Sequence, residues 1–152
     1  MTIWVDADAC PKMIKDIITK AAQKRKRPVC FVANHYFAVP KSPFIKFTQV
    51  SQGFDIADHH IAQSIKKDDL LISSDIPLAD EVLEKGAQVI TPRGEILDKN
   101  NIKGRLNIRD FNETMRASGI QSGGPSAMTD KDKQKFANAF DRYCQKYPFT
   151  TD

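Results

Sequence analysis

The residues best suited to chemistry in this chain are aspartates, and they recur where apolar runs end. Asp6 and Asp8 follow TIWV, Asn34 closes VCFVAN, Asp55 and Asp58 lie in GFDIAD behind IKFTQV, Asp75 follows DLLIS and Ser74, and Arg93 follows AQVIT. Five of these seven strand-end residues are carboxylates, and gathered at one place they would repel one another. A hard divalent cation, Mg²⁺ or Mn²⁺, is the natural compensation, because it prefers carboxylate oxygens and water, whereas carboxylates crowded without it would have raised pKa values. Asp-x-Asp spacing can aim Asp6 and Asp8 into one site if the strand ends between them, and Asp55 and Asp58, at i and i+3, share a helical face. Such a site leaves coordination positions for water and a phosphate oxygen, which is what phosphodiester hydrolysis requires.

The expected metal set is therefore Asp6, Asp8, Asp55, Asp58 and Asp75, with Asp6, Asp8 and Asp75 as the catalytic members. Taken singly, Asp8, Asp55 or Asp75 reads more simply as a helix cap; their coincidence argues for a site. Asn34, Ser74, Arg93, Arg105 and Arg109 are the expected substrate or phosphate contacts, with Arg116 and the Gly123-Gly124-Pro125 loop as further anion donors. Arg105 and Arg109 have a plainer reading, as surface partners of Asp110 or Glu113. His59 and His60 read as surface helix residues and Cys10 as a buried thiol, so none joins the ligand set.

The elements that must position these groups alternate. TIWVD reads as a strand, and Pro11 opens a helix whose Met13, Ile14, Ile17, Ile18, Ala21 and Ala22 keep helical spacing. VCFVAN is an apolar run suited to a strand buried on both faces, and IKFTQV alternates as a third strand at an edge. A helix follows in FDIADHHIAQSI, then the strand DLLIS from about Asp69, a helix from Pro77 capped by Gly86, and the short strand AQVIT. Beyond Pro92 no strand is expected. A helix is expected around Arg109 to Ser118, and Thr129 is the expected N-cap of DKDKQKFANAFDRYCQK, with Phe136, Phe140, Tyr143 and Cys144 as its apolar stripe. Strands alternating with helices predict a three-layer α/β fold, a mainly parallel sheet of about five strands flanked by helices. In such a sheet, ligands bind outside the carboxyl ends of the strands, which is where the aspartates fall.

Composition sets the bounds. The 152 residues suit one domain, taken as 1–147, with 148–152 as a disordered tail. Three scattered cysteines make no disulfide framework and fit a reducing, cytoplasmic setting. The amino-terminal residues do not read as a secretory signal, and no apolar run approaches the ~18 residues of a membrane span. The formal charge of +4 permits a polyanionic partner without demanding one. The run Lys24-Arg25-Lys26-Arg27 reads as solvated charge at a helix end, where it complements the dipole.

Together, IWVDADACPK, VAN, GFDIAD, SSDIPLA, KGA, PRGE, SGIQSGGP and FANAFDR closely resemble the bacterial YaiI/YqxD family over nearly the whole chain. The similarity of that family to PIN-like domains implies a PIN-like fold and a metal-dependent nuclease ancestry, with RNA the usual substrate of the wider superfamily. On this resemblance the PIN-like acidic positions fall on Asp6, Asp55 or Asp58, and Asp75, while Asp8 belongs to the DAD motif of the family. Where Ser73-Ser74-Asp75 departs from a threonine or alanine near the aspartate, Ser74 can still orient a carboxylate or a water.

The leading expectation is a metal-dependent RNA phosphodiesterase, with RNA as partner, no membrane association and no particular oligomeric state indicated. A HAD-like phosphatase also begins from a strand ending in Asp-x-Asp, but Ala-Cys-Pro-Lys follows Asp8 where that family has Gly-Thr or Gly-Val. The alternative from a different class is a non-catalytic RNA- or protein-binding module that retains the acidic crevice.

Overall fold

Continuous apolar strands, such as Val29–Ala33 and Leu70–Ile72 prove to be, need a helical layer on each face, and the chain supplies both. The computed structural model of the protein describes residues 2–36, 38–51, 56–104 and 129–146. Within these, β1 (Ile3–Asp6), β2 (Val29–Ala33), β3 (Ile45–Gln49), β4 (Leu70–Ile72), β5 (Gln88–Ile90) and β6 (Ile96–Leu97) form one sheet in the order β3-β2-β1-β4-β5-β6. The pairs from β3 to β5 are parallel and β5 with β6 is antiparallel. The helices are α1 (Lys12–Arg25), α2 (Ile56–Ser64), α3 (Ile76–Glu84) and α4 (Asp130–Lys146).

Register divides the side chains between two cores. Ile3 pairs with Val29 and Leu70, and Val5 with Phe31 and Ile72; all six face the layer of α1 and α4, against Ile14, Ile18, Phe136 and Phe140. The intervening Cys30, Val32, Leu71 and Val89 face α2 and α3, against Ile61, Leu78 and Val82. Each fully buried aliphatic or aromatic side chain contributes about 1.5–3 kcal/mol, so Phe136 and Phe140 are enough to hold α4 on the sheet. Strand order therefore grows from β1 towards β2 and β3 with α1 on one face, then resumes at β4 with α2 and α3 on the other. The gap between the carboxyl ends of β1 and β4 is a topological switch point, the place where open parallel sheets bind ligands.

Two expectations are corrected. The chain does form a strand after Pro92: Gly94, at φ +85°, closes a turn in which Thr91 N–H donates to the Glu95 carbonyl (2.8 Å) and Gly94 N–H to the Thr91 carbonyl (2.9 Å), folding β6 back on β5. A two-residue strand is too short to show a period. The turn packs so closely on α4 that a Cβ at Gly94 would collide with the backbone of Lys135 and Phe136. The basic run is also not all solvated. Lys26 ends α1 in the left-handed conformation (φ 55°), which turns Arg27 inward to 2 % exposure. There its guanidinium donates to the Cys144 carbonyl (3.2 Å) and lies 5.6 Å from the Tyr143 ring centre, while Arg25 pairs with Asp141. The run joins α1 to α4.

The remaining boundaries shift slightly. α3 begins at Ile76, with Asp75 as its cap and Pro77 in its first turn, and Gly86 follows it at φ +88°. Thr129 caps α4 as expected: its hydroxyl accepts from Asp132 N–H (3.2 Å) while Asp132 Oδ2 accepts from Thr129 N–H (3.2 Å). The helix expected around Arg109 to Ser118 and the tail lie outside the described residues. No helix among the described residues is long and apolar enough to cross a membrane.

Candidate active site

Three of the expected carboxylates lie along the carboxyl edge around the switch point, each for a local reason. Asp6 is the last residue of β1, buried to 8 % exposure. Because Val5 pairs with Ile72, the next step along both strands sets Asp6 beside Ser73, whose hydroxyl donates to Asp6 Oδ2 (3.1 Å). A single 3₁₀ turn, Ala7–Ala9, then carries Asp8 across to β2, where its Oδ2 accepts Asn34 N–H (2.6 Å) and its Oδ1 lies 3.8 Å from His35 Nδ1. After β4, Asp75 N–H donates to the Ser73 hydroxyl (3.0 Å), and Asp75 Oδ1 caps α3 by accepting Leu78 N–H (3.0 Å). Ser73 thus joins Asp6 to Asp75.

The electrostatics follow from this placement. Burial pushes the Asp6 carboxyl above its ordinary value, the Ser73 hydrogen bond offsets part of that, and the negative charges of Asp75 and Asp8 push it further up. Asp6 is therefore a buried carboxylate with two like charges near it, a state that a proton or a cation relieves. The available donors are hard oxygens. Among the described residues Asp6 Oδ1 accepts no hydrogen bond, and Asn34 Oδ1 is buried without a hydrogen-bond partner, a condition that a bound ion or water commonly explains. Against this, no three His, Cys, Asp or Glu side chains among the described residues are grouped closely enough to hold a metal, because Asp8 and Asp75 turn towards backbone amides. Hard oxygens are the donors that Mg²⁺ or Mn²⁺ prefers, but as the side chains stand Asp6, Asp8 and Asp75 form no closed ligand set, and Asp8 and Asp75 would have to swing from their amides or act through water.

The other expected residues fall as follows. Asp58 stands part-buried in the first turn of α2. Ser74 is exposed, and the serine on Asp6 is its neighbour Ser73. Arg93 donates to Asp132 of α4 (2.9 Å). Asp55, Arg105 and Arg109 lie outside the described residues. Ser73 escaped the sequence reading because two adjacent serines differ only in the sheet face they take, and that is set by the pairing of β4 with β1.

Fold and site define a class: a doubly wound, mainly parallel α/β domain of three layers, consistent with a PIN-like fold, with an acidic cluster at its switch point. The chain belongs to the family described as "Uncharacterized BCR, YaiI/YqxD family", whose model matches residues 4–146. Among its relatives, a protein named "UPF0178 protein" from Colwellia psychrerythraea is 55 % identical over 150 residues, covering 99 % of each chain. Another of that name from Saccharophagus degradans is 57 % identical over 146 residues, 96 % of this chain and 97 % of its own. No solved structure matches the chain.

Proposed function

We propose that the protein is a Mg²⁺- or Mn²⁺-dependent phosphodiesterase of PIN-like type acting on RNA, with Asp6, Asp8 and Asp75 as its catalytic carboxylates. The observation that carries this reading is the buried Asp6, short of hydrogen-bond donors and flanked by Asp8 and Asp75 at the switch point. A bound cation would supply an activated water and neutralise the charge that develops on phosphate. Ser73 holds Oδ2 of Asp6, which leaves Oδ1 as the oxygen a cation would take. Asp8 ties the loop after β2 to the site, and Asp75 ties the start of α3. Asp58, and Asp55 by the PIN-like resemblance, are the further acidic positions.

The test is calorimetric titration of Mn²⁺ into metal-free protein beside the Asp6→Asn/Asp75→Asn double variant, whose fold is checked by circular dichroism. Saturable binding by the wild type and its loss in the variant are expected, followed by metal-dependent cleavage of RNA; no saturable binding by the wild type would overturn the proposal. One observation favours a second reading, a binding module without turnover: Asp8 and Asp75 already serve as acceptors for backbone amides. Salt-dependent RNA binding that is unchanged by Asp75→Asn, with no cleavage by either protein, would select it.

A further inference from the structure

A single aromatic side chain beside the acidic edge is exposed well beyond any packing need. Tyr36 is 72 % exposed, and with Ile56 (38 %) and Ile96 (44 %) it makes up the exposed large apolar residues among those described. All three lie around the carboxyl edge of the sheet: Tyr36 after β2, Ile56 at the start of α2, and Ile96 opposite Ile90 at the end of β5. The Tyr36 ring has an aromatic neighbour. It meets Phe47 of β3 edge-on, with centroids 5.5 Å apart and planes at 79°, and Phe47 packs against the α1-side core.

Its backbone is tethered to the acidic turn as well. Asp8 holds Asn34 N–H at 2.6 Å and lies 3.8 Å from His35, and two residues of chain span at most about 7 Å from Asn34 to Tyr36. The segment around it carries no carboxylate: residues 35–49 contain no aspartate or glutamate, and of its two lysines Lys41 stands before β3 at the amino edge and Lys46 on the face of β3 opposite Phe47. A solvent-facing aromatic ring that rests on Phe47, two residues beyond the amide that Asp8 tethers, offers the surface on which a single-stranded nucleic acid stacks, since every base has a π-face.

We propose that Tyr36 is the stacking platform for a base of the single-stranded RNA whose backbone enters the acidic crevice. The inference rests on the RNA reading above and extends it by naming how the strand is held. A tyrosine has only two side-chain torsions to fix, so stacking on it immobilises little of the protein.

The test is fluorescence anisotropy with a labelled single-stranded RNA 12-mer in buffer with Ca²⁺ in place of Mg²⁺ or Mn²⁺, so that the acidic edge is neutralised and binding is read apart from cleavage. Wild type, Tyr36→Ala and Tyr36→Phe are compared, each with the normal oligomer and with one made abasic throughout. Tyr36→Ala is expected to weaken binding about tenfold or more, Tyr36→Phe to stay within about twofold of wild type, and the abasic oligomer to bind wild type and Tyr36→Ala alike. Equal binding of the normal oligomer by wild type and Tyr36→Ala would overturn the platform and leave the RNA reading standing. Failure of the wild type to bind any oligomer would overturn both. Tyr36 is largely in solvent, so unchanged circular dichroism is expected for both variants.

Discussion

Asp6 and Asp69 are the same residue type at the ends of neighbouring strands, 8 % and 5 % exposed, yet they sit in opposite circumstances. Asp69, just before β4 at the amino edge, accepts three hydrogen bonds, from Thr2 N–H (2.9 Å), Trp4 Nε1–H (3.2 Å) and Lys66 N–H (3.0 Å). Asp6, at the carboxyl edge, accepts one, from Ser73, and faces two other carboxylates. Burial alone does not separate a structural carboxylate from a candidate functional one. The donors around it do: a charge surrounded by N–H groups holds the fold together, whereas a charge surrounded by other charges needs something the protein does not supply.

The largest effect expected from this contrast is at Asp69. Asp69→Ala leaves two backbone amides and the indole N–H of Trp4 without their acceptor, and each orphaned donor costs about 1–3 kcal/mol, so a loss of about 3 kcal/mol or more in urea unfolding is expected. A loss below about 1 kcal/mol would show that water replaces the carboxylate and would break the contrast. The next effect is at Ser73, whose hydroxyl both donates to Asp6 and accepts from Asp75 N–H. Ser73→Ala is expected to cost about 1–2 kcal/mol and to raise the Asp6 pKa further, read as an upfield-to-downfield carboxyl titration displaced to higher pH in ¹³C NMR.

How far the sequence carries this contrast depends on the range of the interactions. The apolar runs of β1, β2, β4 and β5 and the stripe of α4 are local patterns, and each predicts its element. The gathering of Asp6, Asp8 and Asp75 follows from one further rule, that parallel strands present their carboxyl ends together. The partners of Asp69 do not follow from any such rule, since Thr2 and Trp4 lie 67 and 65 residues away and an acidic residue at a strand start reads as a boundary. Likewise the choice of Ser73 over Ser74 depends on the Val5–Ile72 register, and the burial of Arg27 depends on Tyr143 and Cys144 of α4. Local chemistry thus points to the site, while the residues that brace it emerge only from tertiary pairing.

The smallest effect, and the one with the opposite sign, is at Asp6 itself. Its pKa is raised in the folded protein, mainly by burial, so between the ordinary carboxylate value and the raised one the native state holds a proton that the unfolded state has lost. In that window stability falls as pH rises, and above it the loss is constant. Asp6→Asn removes the titrating charge and keeps the shape, so in metal-free buffer at pH 7 it is expected to be neutral or stabilising, within about 1 kcal/mol of wild type. The stability difference between the two proteins should close as pH falls through the window, measured by urea unfolding at several pH values. A variant that is instead strongly destabilised at pH 7 would place Asp6 with Asp69, as a carboxylate whose charge the fold uses, and would remove the physical ground for a cation at the switch point.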